Sequence, residues 1–469
     1  TELRAHQATG YRWLRMLHEH ALGGLLADDM GLGKTVQVLA LLSALDEEDQ
    51  LAPTLLVLPL TLIGNWVSEM RRFSPTLRHV YVHSGPERLR DPQRIAQAQV
   101  VLTTYQTLRR DQLVLGQIDW CVVVCDEAQN AKNPTAQQTS AVKALKARVR
   151  LAVTGTPVEN GLSELWCIVD FAQPGKLGSQ KEFRDEFERP IRDAEDDISA
   201  SEELATRLHT RLTPHYLRRT KDEVLELPPK TEVTTASSLG DEQKTLYAQA
   251  VGDVRAGRSN ALEALNRLIA LCSHPDIILK QRPSPGDLLA QCPKLRDTID
   301  ILEAIRESQE RAVVFTRLRE MQLILQRCIA DRFGLHATII NGTTAGPERL
   351  QIVDRFNRRE GFNLLILSPE AAGVGLNITG ANHVIHYTRL WNPAKENQAT
   401  DRVHRMGQER RVHVHYPIVR GEDFRTVEER LADVLEEKRA LATNVLWARD
   451  GLDVQRDLTS LFDDDMAEA

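Results

Sequence analysis

The chain has 469 residues, 42% of them hydrophobic and 27% charged, and a net charge of −7 at pH 7. That length exceeds one ordinary core and predicts two or more domains. No apolar run approaches the ~20 residues that span a bilayer, and the acidic balance excludes a protein that is basic all over, while leaving room for a locally basic cleft.

In chain order, the first informative run is Leu26-Ala27-Asp28-Asp29-Met30-Gly31-Leu32-Gly33-Lys34-Thr35. It follows a short helix-like segment and opens an amphipathic one, with Val36, Leu39, Ala40 and Leu41 at helical spacing. A glycine turn into a helix N-terminus presents N–H groups to phosphate oxygens. Lys34 supplies charge for the β/γ-phosphates and Thr35 a hydroxyl for Mg²⁺. The general pattern asks for glycine where this chain has Asp28, so the run by itself also fits a tight turn with a solvated lysine.

Apolar strands are expected near Leu55–Leu58, Val100–Thr104, Cys121–Cys125 and Leu151–Thr154, with helical stretches between them. That alternation implies a parallel sheet with crossover helices. Cys121–Cys125 is unbroken, as in a strand buried on both faces, and it runs into Asp126-Glu127-Ala128-Gln129. Asp126 is placed to hold Mg²⁺, directly or through water, and Glu127 to orient the water that attacks a γ-phosphate.

The character changes after Pro174-Gly175. Residues 180–211 are charged and helix-like, with an acidic stretch over 193–197, and residues 241–271 are again helical, with Leu262, Leu265, Leu268 and Ile269 on one face. Leu227-Pro228-Pro229-Lys230 between them reads as a stiff linker. A second α/β pattern follows Pro283-Ser284-Pro285-Gly286, with strands near Val313–Phe315, Thr338–Ile340, Leu364–Leu367, Val384–Tyr387 and Val412–Tyr416. Gln398 to Arg405 puts Arg402 and Arg405 three apart, hence on one face if helical, where they could serve as arginine fingers. A helix over 427–442 and a solvated acidic tail from Asp463 close the chain. The six cysteines contain no C-x-x-C pair. Cys121 and Cys125 read as core residues, and Cys272, His274 and Cys292 lack a fourth zinc partner. Reduced thiols suit the cytosol.

Taken together, these segments resemble the Snf2 family of superfamily 2 helicase-like ATPases. Leu3-Arg4-Ala5-His6-Gln7 resembles the adenine-reading motif, with Gln7 as its glutamine. Asp28 to Thr35 resembles motif I in the form with Asp at the first Walker position, and the Asp-Asp-Met wording looks like the microbial branch. Leu58-Pro59-Leu60-Thr61 with Asn65-Trp66 and Glu69 resembles motif Ia, Thr103-Thr104-Tyr105 motif Ib, Asp126 to Pro134 motif II, and Thr154-Gly155-Thr156-Pro157 with Glu159-Asn160 motif III. Leu217-Arg218-Arg219-Thr220-Lys221 and Leu271-Cys272-Ser273-His274-Pro275 resemble Snf2-specific blocks. Gly373-Val374-Gly375-Leu376-Asn377 resembles motif V, and Trp391-Asn392-Pro393-Ala394 and Gln398 to Gln408 the final blocks. Thr388 stands where the family has an acidic residue, and Glu370-Ala371-Ala372 where motif V starts more basic and glycine-rich.

The resemblance implies an α/β fold of two RecA-like lobes with helical insertions: lobe one over 1–178, its protrusion and linker over 179–230, a second protrusion over 231–290, and lobe two over 291–469. It implies ATP and Mg²⁺ as cofactors. Gln7, Asp28, Asp29, Met30, Gly31, Leu32, Gly33, Lys34, Thr35, Gly373 and Gly375 would contact nucleotide, with Thr35 and Asp126 on the metal. Lys34, Asp126, Glu127, Gln129, Arg402 and Arg405 would be catalytic. The lobes must then close on one ATP for hydrolysis, each cycle stepping the protein along double-stranded DNA and acting on DNA-bound protein complexes. Grip would fall on backbone phosphates, with Arg71-Arg72, Arg109-Arg110, Arg218-Arg219-Lys221 and Arg410-Arg411 as basic candidates. A strand-separating helicase shares every ATPase motif and is the alternative; a GTPase switch would need an Asn-Lys-x-Asp motif that is missing, and an inert scaffold would have lost Glu127 or an arginine. The expected setting is cytoplasmic and nucleoid-associated. A start at Thr1 without methionine suggests an excised fragment whose flanking domains determine the pathway.

Overall fold

The computed structural model describes residues 2–158, 161–193, 198–256, 258–372 and 376–444. Residues 1–226 make up one compact unit and residues 227–440 a second.

The first unit contains strands β1 (Gly24–Leu26), β2 (Thr54–Leu58), β3 (Val80–His83), β4 (Val100–Thr104), β5 (Trp120–Asp126), β6 (Ala147–Val153) and β7 (Tyr216–Leu217), in the sheet order β3-β4-β2-β5-β6-β1-β7. Every pair is parallel. The sheet is covered on both faces. Leu25, Val57, Val123 and Cys125 pack with the helix Leu162–Ala172 on one side, and Leu26, Leu56, Val122 and Val124 with the helices Ala5–Glu19, Lys34–Glu47 and Ile63–Phe73 on the other. Alternate residues of each strand thus enter opposite cores, which is why these strands read as unbroken apolar runs.

Strands β8 (Lys230–Ser238), β9 (Arg311–Phe315), β10 (Thr338–Ile340), β11 (Asn363–Leu367), β12 (His383–His386) and β13 (Val412–Arg420) form the second sheet, in the order β10-β11-β9-β12-β13-β8, again parallel throughout.

Four strands differ from the sequence expectation. β1 lies where a helix-like lead into the phosphate loop is expected; at three residues it is too short to show a period. β3 and β7 are equally short or half-buried. β8 is mostly exposed along its nine residues; it begins at Lys230, inside the expected linker and protrusion, and pairs with β13 over its full length. Leu262 is 57% exposed, whereas Leu265, Leu268 and Ile269 are buried as expected. The acidic residues 194–197 and the tail from Asp463 lie outside the described residues.

The helix Val427–Asn444 begins against the second unit through a buried ion pair. Lys294, with no exposed side chain, donates to Glu428 at 2.7 and 2.9 Å, and Glu428 also accepts from Val419 N at 2.9 Å. Removing one partner of such a pair strands a charge in the core. Glu428→Ala is expected to lower the stability of the second unit by about 3–5 kcal/mol. Chemical unfolding measures this, and a loss below about 1 kcal/mol would contradict the ledger of that pair.

Candidate active site

The sheet register assembles the first unit's polar residues. Leu26 pairs with Val153, and Val153 with Asp126. β1, β6 and β5 therefore end level with one another, and the loops that follow all emerge at the carboxyl edge of the sheet, the usual place for ligands in such folds. Gly31 and Gly33 adopt φ of +89° and +82°. Gly33 caps the helix Lys34–Glu47 in the left-handed region, and a Cβ there would stand 2.4 Å from Gln7 Nε2. Gln7 Nε2 instead donates to Leu32 O at 3.3 Å, and its Oε1 accepts from Arg4 N. Thr35 is the second residue of the same helix. A Cβ on Gly155 would stand 2.7 Å from Met30 Cγ, so glycine lets the Thr154–Thr156 loop close on the phosphate loop.

Asp28 has no exposed surface. Its Oδ1 accepts from Arg219 Nε at 2.9 Å, and its Oδ2 from Gln37 Nε2 at 3.0 Å and from the Arg219 guanidinium a second time. Arg219 also reaches Gln37 Oε1 at 2.9 Å and the His6 carbonyl. The backbone joins in: Ala27 N donates to Leu217 O at 2.7 Å, Asp29 N to Arg219 O at 2.9 Å, and Lys221 N to Asp29 Oδ2 at 3.1 Å. Residues 217–221 thus run alongside the phosphate loop. Arg219 is committed to Asp28 and Lys221 is buried, which removes both from the expected basic track. Arg410 is likewise turned inward, donating to Gly380 O at 2.7 Å. Arg71, Arg72, Arg109 and Arg110 remain exposed.

Lys34 Nζ donates to Asp28 O at 2.5 Å and Asp29 O at 3.2 Å. Burial pulls its pKa down, against the pull of Glu127, Asp28, Asp126 and Asp29. Asp126 is pushed up to about 6 by burial and by neighbouring Glu127, against donors from Trp66 and Glu127 N. Trp66 Nε1 meets Asp126 Oδ2 at 2.7 Å, and Glu127 N meets Oδ1 at 2.9 Å. Glu127 itself holds φ of +48°, uncommon for a residue with a side chain. Its Oε2 accepts from Gln129 Nε2 at 2.8 Å, Gln129 Oε1 accepts from Thr154 Oγ1 at 2.7 Å, and Thr154 Oγ1 accepts from Thr156 N at 3.0 Å. The acidic loop and the Thr154 loop are therefore joined by one relay through Gln129. The sequence pointed Arg219 to DNA phosphate rather than to Asp28 and gave Trp66 no partner; the only signal for Trp66 was its position in a motif-like block.

In the second unit the helix Pro393–Thr400 ends before the arginines. Arg402 and Arg405 sit in the turns that follow, not on a helix face as expected. The competing contacts are tertiary. Ile378 N donates to Arg402 O at 2.8 Å, and Gln408 Nε2 reaches Ala381 O at 2.6 Å and Thr379 O and Val403 O at 3.3 Å. Gly407 turns the chain at φ +91°. Arg389 and Glu396 form a buried two-pronged pair at 2.8 and 2.9 Å. Thr388 Oγ1 and Thr316 Oγ1 form a buried hydroxyl pair at 2.8 Å. Gly373 and Gly375, with Glu159 and Asn160, lie outside the described residues. Cys272 and Cys292 are buried, and His274 bonds Leu288 O and Asp276 N through its two ring nitrogens.

Two family models match the chain: "SNF2-related domain" over residues 6–282 and "Helicase conserved C-terminal domain" over residues 293–407. The chain belongs to the SNF2-related family of helicase-like ATPases, and nucleotide use comes with that family. It is 39% identical to the Zorya protein ZorD of Escherichia coli, over 95% of this chain and 45% of that protein. It is 40% identical to the putative ATP-dependent helicase/translocase YwqA of Bacillus subtilis, over 95% and 49%. The chain thus spans about half the length of these curated relatives. Among solved structures, the Sulfolobus solfataricus SWI2/SNF2 ATPase core in complex with dsDNA is 33% identical, over 94% of this chain and 92% of that one, with a TM-score of 0.47. No helix among the described residues is long and apolar enough to cross a membrane.

Gly33→Ala tests the tightness of the phosphate loop. A left-handed alanine costs about 1–3 kcal/mol, and its methyl group displaces Gln7. The variant is expected to lose that much stability in the first unit and to bind ADP more weakly; unchanged melting and unchanged affinity would contradict the loop geometry.

Proposed function

We propose that this chain is the motor of an ATP-dependent double-stranded DNA translocase that acts on protein–DNA complexes. The observation that carries the reading is the assembly of Lys34, Asp126, Glu127 and Gln129 at one sheet edge, beside a glycine turn that opens a helix. Phosphoryl transfer asks a protein for positioning and charge neutralisation more than for covalent chemistry, and this cluster is suited to both. Lys34 would exchange its two carbonyl partners for phosphate oxygens. Thr35 and Asp126 offer the hard oxygen donors that suit Mg²⁺, which when bound neutralises phosphate charge. Glu127, held by Gln129, would orient water for in-line attack on the γ-phosphorus and accept its proton as the bond to the β-phosphate oxygen breaks. Arg402 and Arg405 are proposed to neutralise the charge that develops on the transferring group, and Gly373 and Gly375 to contact nucleotide.

The DNA part of the reading is supported by the family and by the relative named as a putative helicase/translocase. It implies a cytoplasmic, nucleoid-associated setting. On an acidic chain, binding must concentrate in a confined basic strip, for which exposed Arg71, Arg72, Arg109 and Arg110 are the candidates in the first unit.

ATP turnover measured alone and with duplex DNA, single-stranded DNA or RNA tests the proposal. Duplex DNA should stimulate most, and the stimulation should fall steeply with salt as phosphate contacts are screened. A third strand should be displaced from a triplex while a forked duplex stays paired. Glu127→Gln should keep nucleotide binding and lose about 10²–10⁴-fold in turnover. Preference for RNA, or robust fork unwinding, would replace the translocase with the strand-separating helicase; full turnover in Glu127→Gln would remove that residue from the chemistry.

A further inference from the structure

We propose that Trp66 is a positioning residue for the metal-binding carboxylate: its indole N–H fixes the aim of Asp126, so that the helix Ile63–Phe73 sets the geometry at which divalent cation joins the nucleotide. The inference rests on the proposed role of Asp126.

Trp66 is 1% exposed and packs among Leu62 and Met70 in the core of the first unit. A buried indole needs an acceptor for its N–H. The acceptor here is no nearby carbonyl. It is Asp126 Oδ2, sixty residues along the chain, at 2.7 Å. Asp126 is held at two further points: Oδ1 accepts from Glu127 N at 2.9 Å, and its main-chain carbonyl accepts from Tyr105 Oη at 2.8 Å. Each carboxylate oxygen thus has one protein donor and keeps lone-pair capacity for a cation. The carboxyl group is aimed without being saturated. Donors of this kind, behind a metal ligand, orient it and tune its affinity.

The placement also ties the site to a second surface. Trp66 lies on the helix that carries exposed Arg71 and Arg72 in its last turn, and Tyr105 opens the helix that carries exposed Arg109 and Arg110. Both side chains that fix Asp126 from outside its own loop therefore belong to helices with exposed arginine pairs. The Trp66 helix thus meets the Asp126 carboxylate, and the Tyr105 helix the Asp126 main chain, each through one hydrogen bond.

Trp66→Phe retains a buried aromatic ring and deletes the donor. Calorimetric ADP affinity is read with Mg²⁺ and with EDTA. The ratio of the two affinities is expected to fall about 10-fold in Trp66→Phe, with the EDTA affinity unchanged. A general packing defect would weaken both arms alike or lower the melting temperature at an unchanged ratio, and either result would overturn the proposal. Asp126→Asn separates the two claims. If Asp126→Asn keeps the full Mg²⁺ gain, the metal reading of Asp126 falls. If it loses the gain while Trp66→Phe keeps it, only the role of Trp66 falls. Should Trp66→Phe not fold, ¹⁵N-indole spectra of the native protein with its six tryptophans decide. One indole signal should move when Mg²⁺ is added to the ADP complex, and that response should vanish in Asp126→Asn. Six signals indifferent to Mg²⁺ would overturn the proposal.

Discussion

A carboxylate with no exposed surface, Asp28, stands at the first position of the glycine loop, and a guanidinium meets it there. An unpaired buried Asp28 would cost several kcal/mol. Arg219 meets it with two donors, and Gln37 with a third. The guanidinium plane matches a carboxylate in a way a lysine could not. Because Arg219 also reaches the His6 carbonyl and Gln37, one side chain ties together the segment that carries Gln7, the phosphate loop, the helix behind it and the strand β7. Gly10 allows this crowding, since a Cβ there would stand 1.7 Å from Gln37 Oε1. Lys34 depends on the same arrangement. Its ammonium is turned into the loop by the carbonyls of Asp28 and Asp29, with Glu127 and Asp126 offsetting the cost of its burial.

The separation in sequence explains the architecture of the first unit. Arg219 lies 191 residues beyond Asp28, after the helices of residues 180–212. Strand β7 brings it back by pairing with β1. The segment that follows the helical insertion is therefore part of the wall of the proposed nucleotide site. The second unit contains another buried guanidinium, Arg389, which meets Glu396 and lies over the Tyr416 ring at 4.2 Å.

Much of this was legible in the sequence wherever one local signal sufficed. Unbroken apolar runs such as Val122–Val124 and Leu364–Leu367 announced strands because both faces of a parallel strand are buried. The glycines at 31 and 33 announced a turn into a helix, and that turn is made with positive φ at both. What escaped was set by distant contacts. Strand β1 is too short to carry a pattern, and β8 is a strand because β13 offers it an edge, not because its residues are apolar. Arg402 and Arg405 looked helical by spacing, but Gln408 and the Ile378 N–H draw the backbone out of the helix after Thr400. Arg219 read as a candidate for phosphate contact because charge in a sequence carries no address; only the fold shows that Asp28 already claims it. The partner of Trp66 was hidden for the same reason.

The central claim is that the Asp28–Arg219 pair holds the phosphate loop in its binding form. A double-mutant cycle of Asp28→Asn, Arg219→Met and the combined variant, read as calorimetric ADP affinity, tests it most directly. The account predicts that each single change weakens ADP binding and that the double variant is little worse than the more damaging single one, with a coupling on the order of 1–3 kcal/mol. Losses that simply add, or an Arg219→Met protein that binds ADP like the parent, would contradict it.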